Sequence, residues 1–238
     1  HKGNDDSKED QPGNQVSFKT SLELGSMSSD LSSLPRLKLQ CAAHHFAIRG
    51  EQRERATRLL AEQRAVCLVG DWGCGINEFI ATCVVSNDTN AGECFVARCD
   101  AFETMAAFEA GIASQFGRNI HQFLQAVRSC PGAILVLDGV QPSLALGGEK
   151  DAFQRIISMI PDFAPQLRLI LVGRIPVHES ISAVALAGLD TLDTRAYLAT
   201  HPRTSSYLMS PDAIERLHIA TGGLPTQLDR LLERLEVA

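Results

Sequence analysis

Ala65-Val66-Cys67-Leu68-Val69-Gly70-Asp71-Trp72-Gly73-Cys74-Gly75-Ile76-Asn77 decides how this chain is read. An apolar run enters a turn rich in glycine, and Glu78-Phe79-Ile80-Ala81-Thr82-Cys83-Val84-Val85 follows. Ile76, Phe79, Ile80, Cys83 and Val84 repeat at i, i+3, i+4, i+7 and i+8, the spacing of one buried helical face. The layout is strand, glycine turn, helix. It has the frame of the pattern G-x-x-x-x-G-K-(S/T), in which backbone N–H groups and a helix N-terminus cradle phosphate. Gly70 and Gly75 hold the framing positions, with Gly73 between them. Ile76 stands where the pattern has lysine, and Asn77 where it has a hydroxyl. Taken alone, the stretch fits either a phosphate cradle or a plain strand-to-helix turn.

Downstream, apolar runs and helical stripes alternate. Strands are expected at 94–99, 133–137, 167–172 and 183–189, besides 65–69. Ala133-Ile134-Leu135-Val136-Leu137 is aliphatic throughout, as in a parallel strand covered on both faces. Helices are expected at about 52–63, 76–85, 102–115 (with Asp100 near its start), 119–129 and 149–160, with a loop over 141–148. Such β-α alternation predicts an α/β fold, a parallel sheet flanked by helices with right-handed crossovers. After 190 only helical patterns remain, at about 191–200, 211–220 and 224–236, and they read as a small C-terminal helical lid. The expected domains are 37–189 for the α/β part and 190–238 for the lid.

Upstream the material changes. Residues 1–36 are charged, small and without apolar period, a composition that cannot offset ordering entropy. They read as a disordered leader, either a linker from an upstream domain or a cloning remnant ending at Gly25-Ser26 before Met27.

Across its 238 residues the chain is 45% hydrophobic and 5% aromatic, with a formal net charge of −6, so the core must be aliphatic and a broad nucleic-acid face is disfavoured. No stretch reaches the roughly eighteen apolar residues of a membrane span. The seven cysteines are odd in number and lie largely inside apolar patterns, which fits reduced thiols in a cytoplasmic protein. Cys94 and Cys99 lack a second cluster at zinc spacing, and His44-His45 reads as a surface or capping pair, so no metal site is expected.

Three further constellations bear on chemistry. Leu135-Val136-Leu137-Asp138-Gly139-Val140 ends an aliphatic strand in the carboxylate that would hold magnesium through water, while Gly139 occupies the place of a second acid. The plain alternative for Asp138 is a turn cap. Arg174, after Leu171-Val172-Gly173, stands at a strand tip where an outer phosphate would lie, or is a surface arginine. Gly222-Gly223-Leu224-Pro225 is a helix–helix corner, with glycine ending one helix and Pro225 opening the next.

In this order, from Phe46 to Leu235, the motifs resemble the STAND branch of AAA+-related P-loop NTPases, with NB-ARC and NACHT domains among its members. Phe46 to Glu51 is similar to the family's F-x-G-R-E segment, Leu135 to Val140 to its L-V-L-D-D-V, Arg174 to its sensor position, and Gly222 to Pro225 to its G-G-L-P. Secretion-accessory and transposition AAA+ ATPases share this layout. The resemblance implies a five-stranded sheet in the order 2-3-4-1-5. It also implies a nucleotide site between sheet and lid at Gly70, Trp72, Gly73, Gly75, Ile76, Asn77, Asp138, Arg174 and Pro225. Ile76, Asn77 and Gly139 replace the groups that bind or activate phosphate and metal, while the glycines, strands and corner that build the fold remain. Glu78 adds negative charge in the first helical turn, where it would repel phosphate. Trp72 at the loop tip fills the phosphate pocket or offers a contact surface. The expectation is a vestigial site with no cofactor, in a regulatory, scaffold or oligomerisation module that works through protein partners or self-association. The alternative is a nucleotide-dependent switch holding ATP or ADP with magnesium.

Overall fold

Alternating aliphatic residues build the sheet. The computed structural model describes residues 31–39, 41–87 and 92–236, so residues 1–30 of the leader expected over 1–36 lie outside the described residues. β1 (Ala65–Gly70), β2 (Cys94–Arg98), β3 (Ile134–Val140), β4 (Arg168–Gly173) and β5 (Ala183–Leu186) pair in parallel in the order β2-β3-β4-β1-β5. This is the order expected. Side chains of a strand alternate between faces. On β3, Ile134 and Val136 join one core and Leu135 and Leu137 the other, all four fully buried.

A short helix α1 (Ala43–Phe46) leads into α2 (Gly50–Glu62), and α3 (Ile76–Asn87) follows the glycine turn. Leu59, Leu60, Phe79, Ile80, Cys83 and Val84 from α2 and α3 pack on Val66, Leu68, Ile170 and Val172. The other face is covered by α4 (Met105–Phe116), α5 (Ile120–Val127), α6 (Pro142–Leu146) and α7 (Lys150–Phe163). Phe108, Phe123, Phe153 and Ile157 fill it against Phe95, Leu135 and Leu171. A third core belongs to α8 (Thr191–Thr200), a 3-10 turn at Ser206–Met209, α9 (Pro211–Thr221) and α10 (Pro225–Glu236). Tyr197, Leu198, Ile214, Leu217, Leu228 and Leu232 build that core with Ile48 and Leu189. From Leu31 onward the chain is one compact unit.

Several boundaries differ from the sequence reading. Leu31 to Arg36, assigned to the leader, packs on the sheet edge. Leu34 is buried, Arg36 bridges Phe95 in antiparallel fashion, and its guanidinium reaches Glu93 at 2.7 Å. This segment covers the otherwise open edge of β2. α4 starts at Met105 because Thr104 caps it, accepting from the Ala107 N–H, and Asp100 lies in the preceding turn. The loop expected over 141–148 contains α6. β3 continues through Asp138 and Gly139 to Val140, whereas β5 stops at Leu186. No helix among the described residues is long and apolar enough to cross a membrane.

Candidate functional site

Parallel strands present their C-terminal ends on one edge, and crevices form there. A cleft of about 600 Å³ lies at the ends of β1, β3 and β4. Gly70, Trp72, Gly73, Gly75, Ile76, Asn77, Asp138 and Arg174 all line it. Pro225 lies behind the loop, with its Cβ 3.5 Å from where a Cβ on Gly75 would stand.

The loop takes its shape from glycine. Gly73 and Gly75 have φ of 91° and 70°, a region that costs other residues strain. The start of α10 rests directly on this loop. The Thr226 N–H donates to the Gly73 carbonyl at 3.3 Å, and Leu224 approaches the space a Gly73 side chain would fill. The corner is pinned in turn, since the Leu189 N–H donates to the Gly223 carbonyl at 2.8 Å. From behind, the buried Arg49 donates from Nη1 to the Cys74 carbonyl at 2.5 Å and from Nη2 to the Ala187 carbonyl at 2.6 Å. Its backbone N–H donates to the Asp193 carboxylate at 3.1 Å. One side chain thus ties the loop and the segment after β5 together, and its backbone reaches α8.

Ile76, Asn77 and Trp72 sit as their chemistry dictates. Ile76 is half-buried and packs on the α2/α3 core, its Cδ1 3.4 Å from the Cβ position of Gly70, so its side chain lies within the loop frame. Asn77 is exposed. Trp72 borders the cleft without plugging it. Its ring is 64% exposed and lies under the Arg230 guanidinium of α10, 5.1 Å from the ring centre. That exposure does not fit the expectation that Trp72 fills the pocket.

At the end of β3 the backbone itself is altered. The β3–β4 register shifts between Leu137 and Val140, which leaves a bulge at Asp138 and Gly139. Gly139 has φ of 80°, and a Cβ there would stand 3.1 Å from the Asp100 Cβ and 3.3 Å from the Asp100 N. Asp138 is half-buried. Burial pushes its carboxyl above the usual range, Arg98 opposes the shift and Asp100 adds to it.

Arg98, Asp100 and Gln141 also line the cleft, and sequence reasoning did not select them. Arg98 and Asp138 are register partners on β2 and β3, so pairing the predicted strand ends would have brought Arg98 to the site. Gln141 Nε2 donates to the Asp100 and Gly139 carbonyls at 2.8 and 3.2 Å, tying the bulge to the turn after β2. In sum, Asp71, Glu78, Asp100 and Asp138 line the cleft together with Arg98 and Arg174. Arg174 is exposed and has no hydrogen bond or ion pair among the described residues. The surplus of carboxylates gives a triphosphate little charge compensation.

Known proteins share this architecture. A Walker-type ATPase of Pyrococcus abyssi superposes with a TM-score of 0.55 at 12% identity, over 84% of this chain and 69% of that one. A DNA replication initiation factor superposes with a TM-score of 0.53 at 13% identity, over 84% of this chain and 65% of that one. The fold is that of the P-loop NTPases. At these identities the likeness concerns the fold alone. No family model matches the chain, and no curated protein matches it by sequence. The cleft at the ends of β1, β3 and β4 gathers all the site residues singled out in the sequence except Pro225.

Cys74 lines the cleft, whereas Cys83, Cys94 and Cys99 lie outside its lining. Cys83, Cys94 and Cys99 are pushed up to about 12 by burial, and Cys94 and Cys99 are buried at the start of β2 and just after its end.

Proposed function

We propose that this chain is a catalytically inactive, STAND-like P-loop domain that serves as a regulatory, scaffold or oligomerisation module of a larger signalling protein. The observation that carries this reading is Gly139. Hydrolysis of this type needs a carboxylate to orient the attacking water. The position that would supply it is a glycine at φ 80° in a bulge, pressed against Asp100. Ile76 brings no charge to the cradle, and the cleft carries more carboxylates than guanidiniums. Loss of a phosphate-binding lysine alone forfeits about 1.5–3 kcal/mol. The exposed Trp72 and Arg230 pair favours a protein partner or a second copy as the counterpart of this surface, since tryptophan and arginine anchor interfaces. A nucleic-acid partner is disfavoured by the net charge of −6.

One observation favours a second reading, a nucleotide-dependent switch. The cleft keeps about 600 Å³ of space, and Arg174 stands exposed at its rim. Calorimetric titration with ATP and ADP, with and without magnesium, separates the two. The scaffold reading expects no binding at millimolar nucleotide. Micromolar affinity with turnover overturns it. In the double variant Ile76→Lys with Asn77→Thr, magnesium-dependent ATP binding is expected without turnover, because Gly139 is unchanged.

A further inference from the structure

Away from the cleft, α1, α8 and α10 bring histidine and carboxylate side chains together. His44 lies on α1, His201 at the C-terminal end of α8, and Asp229 on α10. One donor atom from each lies within 4.8 Å of the other two. We infer that His44, His201 and Asp229 bind one borderline divalent transition-metal ion of the zinc class and thereby clamp α1 to the lid helices.

The chemistry is that of a nitrogen-rich site. Two imidazoles and one carboxylate suit zinc and its neighbours, whereas calcium and magnesium require an oxygen cage. The spacing is close to what a metal needs. With bonds of about 2.0–2.1 Å, the edge of a tetrahedral site is roughly 3.3 Å. His201 Nε2 and Asp229 Oδ1 already stand 3.3 Å apart. Asp229 is 38% exposed at its side chain and can turn toward His44, while water completes the fourth position.

Independent observations point the same way. His44 is only 7% exposed, yet its Nδ1 is buried with no hydrogen-bond partner among the described residues. A buried nitrogen without a partner carries an uncompensated desolvation cost. Tyr197 donates to Asp229 Oδ1 at 2.6 Å, an outer-shell hydrogen bond of the kind that orients metal carboxylates. Binding at His201 Nε2 would place that ring's proton on Nδ1. The contact that Nδ1 now accepts from the Arg203 N–H, at 3.2 Å in an exposed turn, is then given up.

The consequence concerns the lid. Asp229 shares α10 with Thr226, which rests on Gly73 of the phosphate loop. A metal joining α10 to α1 therefore holds the lid on the loop, whether or not the cleft takes nucleotide.

The test uses the full chain stripped with chelator and titrated with Co²⁺. One equivalent is expected to give the visible d–d absorption of a four-coordinate nitrogen and oxygen site, and Zn²⁺ is expected to displace it and raise the unfolding temperature. Asp229→Asn keeps an acceptor for Tyr197 but lacks the charge, and it should lose both signals. Tyr197→Phe should weaken binding by roughly 10–100-fold. The proposal is overturned if the unmodified chain gives no stoichiometric Co²⁺ spectrum. A near-ultraviolet thiolate band, which would assign the metal to cysteine, overturns it too, as does a spectrum unchanged in Asp229→Asn.

Discussion

Placing an acid at position 139, as Gly139→Asp, probes whether the backbone there can carry a side chain. Gly139 sits at φ 80°, where an L-residue costs about 1–2 kcal/mol. Its new Cβ would stand 3.1 Å from the Asp100 Cβ and 3.3 Å from the Asp100 N, so the turn after β2 must give by a few tenths of an ångström. Overpacking of this kind adds about 1 kcal/mol or more. The new carboxylate would also join Asp100 and Asp138, and Asp138 is already held above its usual range by burial and by Asp100. Together these predict a destabilisation of about 2–4 kcal/mol. Gly139→Asn should lose the least, because asparagine tolerates the left-handed region and brings no charge. Gly139→Ala should fall between. The assay is the urea midpoint at constant m-value. The gap between the Asp and Asn variants should narrow as the pH falls through the carboxylate range. A Gly139→Asp protein within about 0.5 kcal/mol of the parent, the range of a bland surface change, would refute the argument.

Two other expectations follow from groups described above. Arg49→Ala removes two charge-assisted bonds, to Cys74 and Ala187, each worth about 1.5–3 kcal/mol, while relieving the burial of a guanidinium. A net loss of about 2–4 kcal/mol is expected, and a urea midpoint equal to the parent's would refute it. The remaining expectation concerns pH. His44, His45, His178 and His201 all lie below their usual 6.5 in the folded state, with burial the first cause in each. Below pH 6.5 the unfolded chain therefore binds more protons than the folded one, so stability present above that pH is lost as it falls toward the folded values. Urea midpoints measured in chelator should decline on acidification, with a shallower slope in His44→Gln, and a flat profile in the parent would count against this account.

Much of the fold was legible because it is written in short-range pattern. The aliphatic run at 133–137, the stripe from Ile76 to Val84 and the corner at Gly222 each declare an element through local periodicity or turn chemistry. Less legible were features set by approach in space. Arg36 reads as part of a polar leader until β2 offers it Glu93 and an open edge. Arg98 looks like an ordinary strand terminus until parallel pairing sets it beside Asp138. The bulge at Gly139 left no trace except an unexplained glycine. His44, His201 and Asp229 lie on three separate elements, and no linear spacing rule could join them.

The retained glycines call for a different explanation from the one their motif suggests. On the proposed scaffold reading, a loop with Ile76 and Asn77 in place of lysine and hydroxyl would have no phosphate to keep Gly73 and Gly75 in place. The lid supplies the reason. Gly73 accepts from the Thr226 N–H, and Gly75 has Pro225 and the Glu78 carboxylate within 3.4–3.5 Å of its absent side chain. Both glycines also hold positive φ, without which the loop could not turn from β1 into α3. Cys74, between them, is fixed through Arg49 to the segment after β5. These contacts require the loop's shape whether or not phosphate binds. Among the described residues, the Ile76 and Asn77 side chains enter no hydrogen bond of this kind; Asn77 is exposed, and Ile76 is held by packing on the α2/α3 core. The loop is the joint between the sheet and α10, whatever its relation to phosphate. Substitutions at Gly73 or Gly75 should therefore disturb the seating of the lid.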